Sequence, residues 1–267
     1  MRTFKINVLM GSCLLSVLSG CTTLAAKDAR DPLESWNRDV QVFNDKVDEY
    51  ALKPIAQGYQ FIMPAFADTA VTNFFSNLDD IGVALNDFMQ LKFEQGGLDS
   101  ARFLVNSVAG VGGVMDVAAD LDLPKHDEDF DQTLGVWGVP MGPYVVLPFL
   151  GPNSVRGIGG KIGDAGLNPL IYLGYGVIPT GLSSASEGII SSVLGALKVI
   201  DTRADLLSTE KIADEAAIDR YDFFKNSYLQ RRNYLVNDGK VAEENTDFDE
   251  SDLDAEPKSE SKSLKPQ

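Results

Sequence analysis

Between Asp131 and Arg156 the chain runs through 24 consecutive uncharged residues, Gln132 to Val155, and between Asp164 and Glu187 through 22 more, Ala165 to Ser186. Stretches this long without charge belong in an apolar setting, inside protein or in lipid, where a charge would be costly. Their length alone would suit a membrane-spanning helix. The prolines forbid it. Pro140, Pro143, Pro148 and Pro152 interrupt the first run and Pro169 and Pro179 the second, and each removes a backbone donor. Two readings stay open at this point: a core hairpin with buried helices, or a surface immersed in a membrane.

The N-terminus adds weight to the second. Arg2 and Lys5 form a short basic region, Val8 to Leu18 is apolar, and Leu18-Ser19-Gly20-Cys21 follows. That order is the layout of a secretory signal, and its apolar part is too short to span a bilayer. The tetrapeptide resembles the bacterial lipobox, in which the cysteine thiol receives a diacylglycerol and becomes the mature N-terminus. Residues 1–20 are therefore expected to be a signal peptide, Cys21 the lipid attachment site, and residues 21–30 a linker. Acyl chains stabilise membrane attachment by roughly 0.8 kcal/mol per buried CH₂. Cys13 leaves with the signal, so the mature chain has one cysteine and makes no disulfide. Thr22 stands where inner-membrane lipoproteins usually carry aspartate, and by similarity to that sorting rule the destination is the periplasmic leaflet of the outer membrane.

The mature chain reads as all-α. Asp31 is a suitable N-cap and Pro32 a suitable first helical residue, and Leu33, Trp36, Val40, Phe43, Val47 and Tyr50 recur on one face up to Pro54. A second stripe runs Val71, Phe74, Leu78, Ile81, Leu85 and Phe88, with a break expected near Asp79-Asp80. A third helix covers Leu98 to Val108. A fourth opens at a capping box, Ser184 with Glu187, and a last spans about Ala213 to Val236. Only Tyr144 to Leu147 has strand character. From Gly239 onward nine acids face four lysines with almost nothing apolar, which predicts a disordered acidic tail over 239–267. Residues 31–238 are the folded domain.

Composition and motifs exclude much chemistry. A formal net charge of −16, from 39 acids and 23 bases, speaks against nucleic acid as a partner. The sole histidine, His126, lies in the charged segment Lys-His-Asp-Glu-Asp and is expected in an exposed loop. Gly181-Leu-Ser183-Ser-Ala185 lacks the last glycine of a nucleophile elbow. Gly159-Gly160-Lys161-Ile162 lacks the hydroxyl residue of a phosphate loop, so close backbone packing explains its glycines better. Gly110-Val-Gly-Gly113 follows a helix and reads as a turn. Asp79-Asp80 is expected on a solvated face. The expectation is no enzyme, no catalytic residue, no cofactor and no metal.

Several segments, in order, resemble one family. Asp31-Pro-Leu-Glu-Ser-Trp-Asn-Arg38 with Phe43-Asn44, Asn73-Phe-Phe-Ser-Asn-Leu78 and Arg102-Phe-Leu-Val-Asn-Ser107 are similar to the MlaA/VacJ lipoproteins. So are the block from Gln132-Thr-Leu-Gly-Val-Trp-Gly-Val-Pro through Pro152, Arg203-Ala-Asp-Leu-Leu207 and Tyr228-Leu-Gln-Arg-Arg232. Two departures stand out. Asp131 occupies a position where the family often has glycine, and Gly157 one where aspartate commonly follows the arginine. The resemblance implies a ring-like helical body with a short Gly/Pro-rich hairpin, lying in one leaflet of the outer membrane. It implies removal of mislocalised phospholipid from the outer leaflet through a central amphipathic channel, maintaining lipid asymmetry. Its implied partners are phospholipid, the outer-membrane bilayer, a trimeric porin and a soluble periplasmic carrier (MlaC-like). Within that picture Gly138, Pro140, Met141, Gly142, Pro143 and Tyr144 are the expected channel gate, and Phe43 and Asn44 the expected gating helix. A structural or porin-associated lipoprotein without transport, and a lipid-acting hydrolase, are the competing classes.

Overall fold

The computed structural model describes residues 28–178 and 180–240. The signal sequence, Cys21 and the acidic tail from residue 241 fall outside them. The described chain is helical apart from one hairpin, as its periodicity predicts. Helix α1 (Glu34–Val47), a π-helical turn (Asp48–Leu52) and α2 (Lys53–Ile62) follow without a gap. Pro54, expected to end the first helix, instead sits near the start of α2. The wider π turn just before it takes up the bonding register that a missing N–H disrupts. Asp31 does not cap α1, which begins at Glu34. Its buried carboxylate accepts instead from Asn37 Nδ2 at 2.8 Å and from the Tyr221 hydroxyl at 2.5 Å, tertiary bonds that displace the local one.

Helix α3 (Ala65–Met89) runs unbroken through Asp79-Asp80, and α4 (Phe93–Val108) packs along it. Then come α5 (Phe130–Val136), the antiparallel strands β1 (Tyr144–Leu147) and β2 (Gly151–Ser154), α6 (Val155–Leu167) and α7 (Pro169–Gly174). Strand β1 was legible in the sequence; its partner was not. Helix α8 (Ser184–Ala216) is capped by Ser183, one residue before the expected box: the Ser186 N–H donates to Ser183 Oγ, and Glu187 accepts from the Thr180 hydroxyl. The single helix expected over 213–236 is two. Asp219 accepts from the N–H groups of Tyr221 and Asp222 and so starts α9 (Arg220–Val236). Glycines 160 and 163 on α6 let α5 approach closely, since a Cβ at Gly160 would lie 2.6 Å from Asp131 Cβ.

Polarity is inverted relative to a water-soluble domain. Among the described residues, buried polar side chains outnumber buried apolar ones. The apolar core is a small cluster of Val40, Tyr144, Val146, Tyr221 and Leu229 at the hairpin. Large apolar side chains face out, with Phe61 92%, Tyr175 82% and Phe66 80% exposed. On α1 the stripe Leu33, Trp36, Phe43 and Tyr50 is outward, and only Val40 is buried. On α3 the inward face carries Asn77, Asp80, Asn86 and Asp87. Asp80, expected in solvent, is fully buried beside Arg102 Nε at 3.3 Å and the Lys125 ammonium. The first uncharged run divides between core (Tyr144, Val146) and surface (Trp137, Phe149, Leu150), whereas the second exposes Tyr175, Val177 and Leu182. Among the described residues no helix is long and apolar enough to cross a membrane.

Candidate functional site

Six helices and the hairpin enclose a cavity of about 750 Å³. Helix α3 contributes Leu78, Val83 and Asn86; the segment before α5 contributes Asp127, Glu128 and Asp129; α6 and α7 contribute Lys161, Asp164, Leu167 and Ile171; α8 contributes Lys198; α9 contributes Arg231, Arg232 and Leu235; and β2 contributes Pro152. The lining therefore mixes aliphatic walls with both signs of charge. That volume lies within the range of small-molecule sites.

Most of those charges are already paired. Lys198 holds Asp79 at 2.5 Å, Arg232 holds Asp129 at 2.6 Å, and Glu128 is bound by Gln90 and Lys92, each at 2.7 Å. Asp164 accepts from the Phe130 N–H at 2.8 Å, and burial pushes its carboxyl up. Lys161 and Arg231 differ. Both are exposed, and neither has a carboxylate within ion-pair distance among the described residues. Among the described residues, Lys161 on α6 and Arg231 on α9 are thus the two cavity-lining cations not matched to an acid. Neither stands out in the sequence as a site residue: Lys161 reads there only as part of a failed phosphate loop. A signal was present, since Arg156, Lys161 and Asp164 are the only charges between residues 132 and 186.

A second cavity of about 410 Å³ lies between α1, the hairpin, α8 and α9, lined by Asn44, Val146, Phe149, Leu150, Arg203 and Phe224 among others. Pro152 borders both cavities, so they meet at the hairpin. Asn44 clasps the hairpin turn from both sides. Its Nδ2 donates to Leu147 O at 2.9 Å and its Oδ1 accepts from the Phe149 N–H at 2.8 Å. The Phe43 ring meets the Phe149 ring edge-on, with centroids 5.2 Å apart. Phe149 has φ of 64°, a left-handed conformation that a bulky side chain adopts at a cost of about 1–3 kcal/mol. The clasp therefore holds a strained turn.

The remaining expected gate residues lie before this turn. Gly138 ends α5 with φ of 88° and Gly142 has φ of 71°, so both positions favour glycine. Pro140, Gly142 and Pro143 are exposed, Met141 packs on the core cluster, and Tyr144 is fully buried. Residues 138–143 line neither cavity. They are tied to α6 through the Arg156 N–H, which donates to Met141 O at 3.1 Å. Tyr144 and Val146 are pinned to α1 by Asn37: its Nδ2 donates to Tyr144 O at 3.1 Å, and its Oδ1 accepts from the Val146 N–H at 2.7 Å.

His126 is not a free loop residue. It is about one-third exposed and lies between two buried aspartates, its Nδ1 3.3 Å from Asp99 and 3.6 Å from Asp87. The two carboxylates beside it, Asp87 and Asp99, push its pKa up to about 10.

A family model described as MlaA lipoprotein matches residues 29–235. The intermembrane phospholipid transport system lipoprotein MlaA of Shigella flexneri is 32% identical over 232 residues, covering 85% of this chain and 87% of that protein. The protein of the same name in Escherichia coli K12 matches with the same identity and coverage. A solved chain, from work on the structural basis for maintenance of bacterial outer membrane lipid asymmetry, aligns with a TM-score of 0.62 and 32% identity. It covers 77% of this chain and 98% of the solved one.

Proposed function

The chain belongs to the MlaA lipoprotein family, and from that premise we propose that it removes misplaced phospholipid from the outer leaflet of the outer membrane through its large cavity. The lipid then passes to a soluble periplasmic carrier of the MlaC kind, which preserves lipid asymmetry. The protein works without catalysis or cofactor. It is anchored through acylated Cys21 in the periplasmic leaflet, beside a trimeric porin.

The observation that carries this reading is the pair of unpaired cations, Lys161 and Arg231, in an otherwise charge-matched, partly apolar cavity. A phospholipid phosphate needs a charged, polar route because it cannot cross hydrocarbon unaccompanied. Lys161 and Arg231 supply the countercharge, and the walls formed by Leu78, Val83, Leu167, Ile171 and Leu235 suit acyl chains. The outward apolar side chains suit a body lying in one leaflet. With no spanning helix among the described residues, such a body enters the bilayer sideways.

The test is a double charge reversal, Lys161→Glu with Arg231→Glu, in a strain lacking the chromosomal copy. Both side chains are exposed and unpaired, so the fold should be unaffected. Outer-leaflet phospholipid should rise to the level of the deletion strain. Asymmetry fully restored despite both reversals would contradict the role given to the two cations, and purified protein that carries no co-isolated phospholipid would favour a structural or porin-associated lipoprotein over transport.

A further inference from the structure

We propose that Asp87, Asp99 and His126 form a binding site for one zinc ion. Suitable ligand atoms of the three residues all lie within 4.8 Å of one another. The residues come from three separate places: Asp87 from the end of α3, Asp99 from the middle of α4, and His126 from the segment leading to α5.

Charge accounting favours a divalent cation. Asp87 and Asp99 are 0% and 1% exposed, and positive charge beside two buried carboxylates offsets their desolvation. Nearby cations are committed elsewhere: Lys92 to Glu128 and Asp238, Lys125 to Asp80, and Arg102 to Asp80 and Asp116. His126 can contribute at most one charge. Asp99 has hydrogen bonds from Gln95 and His126. Asp87 has none on either oxygen, although it is fully buried and faces the imidazole. A fully buried carboxylate without a hydrogen-bond partner, turned toward a second carboxylate and a histidine, brings three metal-ligating groups to one point.

The donor set selects the metal. One imidazole nitrogen with two carboxylate oxygens suits zinc, whereas calcium and magnesium take oxygen ligands. Three protein ligands leave a fourth position, and the partial exposure of His126 supplies the way in. The ion would join α3, α4 and the segment that carries Asp127, Glu128 and Asp129 into the cavity wall, fixing that wall in place. This inference concerns the chain's own ligands and stands whether or not the cavity carries lipid.

Full-length lipidated protein, purified in detergent without a polyhistidine tag and stripped with chelator, should bind one zinc per chain. Its thermal midpoint should rise by roughly 5 °C or more at zinc about 100-fold above Kd. Cobalt should give the visible absorption of a low-coordinate nitrogen–oxygen site. Asp87→Asn, Asp99→Asn and His126→Gln should each weaken zinc binding at least about tenfold. His126→Gln, on a partly exposed segment, keeps the test decisive if a buried variant does not fold. Absence of zinc binding by the wild-type chain would overturn the proposal. So would zinc affinity unchanged in the variants, which would place the metal elsewhere, or preferential calcium binding at these residues.

Discussion

An Asp131→Ala chain should unfold roughly 10 °C below the wild type, the largest stability loss expected from a single side chain in the hairpin region. Asp131 is 2% exposed, and its carboxylate accepts from Arg156 Nε at 2.7 Å and lies 3.4 Å from Arg232 Nε. Arg232 keeps Asp129 when Asp131 is removed. Arg156 keeps only a carbonyl contact to Val139 and is itself 7% exposed, so its guanidinium is left charged and uncompensated. Removing one partner of a buried pair costs about 3–5 kcal/mol. For a domain of this size each kcal/mol lowers the midpoint by roughly 2–4 °C. Far-UV circular dichroism on heating measures the shift. A midpoint within about 2 °C of wild type would mean that the pair contributes little. Asp131→Asn, which still accepts a hydrogen bond, should fall in between.

The same pair sets the local geometry at the starts of α5 and α6, where the sequence departs from what the resemblance implies. Arg156 draws its carboxylate from α5 instead of from the next residue on α6. At position 157 no aspartate could fit, because a Cβ there would lie 2.3 Å from Asn153 Oδ1.

Deleting Phe43 and Asn44 together should change outer-leaflet phospholipid in cells, even where the protein accumulates normally. The deletion rotates everything after it on α1 by about 200° relative to the preceding turn. It also removes the clasp on the hairpin turn, two hydrogen bonds and one ring contact. The turn is strained at Phe149 and lies where the two cavities meet, so releasing it should alter the gating or direction of lipid flow. Asn44→Ala alone removes both hydrogen bonds, worth about 1–3 kcal/mol, and should give a weaker effect of the same sign. Outer-leaflet phospholipid unchanged in the deletion would contradict the role given to this helix.

The all-α class, the long stripes of α1 and α3, the strand Tyr144–Leu147 and the family were legible in the sequence because periodicity and ordered motifs are local signals, whereas α5, α6 and α7 were not. The orientation of the faces was not. Periodicity shows that Leu33, Trp36, Phe43 and Tyr50 share a side of α1, but nothing local says that the side points outward. The buried charges were illegible for a similar reason. Asp80 reads as solvated until Arg102 and Lys125, distant in sequence, are seen to meet it. In the sequence Asn44 stands out only by its place in a motif, and its contact with residues 147 and 149 exists only in three dimensions. The cavity is the least local feature of all, since its walls come from six helices and a strand. Even so, the sparse charges of the central region were informative: Arg156 anchors the hairpin, while Lys161 and Asp164 line the cavity.

The central claim, that phospholipid occupies the large cavity, is tested most directly by a photo-crosslinking amino acid placed at Leu167 in the cavity wall and, separately, at Phe61 on the outer surface. Irradiated in cells, both positions should yield phospholipid adducts, one from the passage and one from the surrounding bilayer. Adding Lys161→Glu and Arg231→Glu should abolish the Leu167 adduct and leave the Phe61 adduct intact. No lipid at Leu167, or an adduct there indifferent to both charge reversals, would contradict the account.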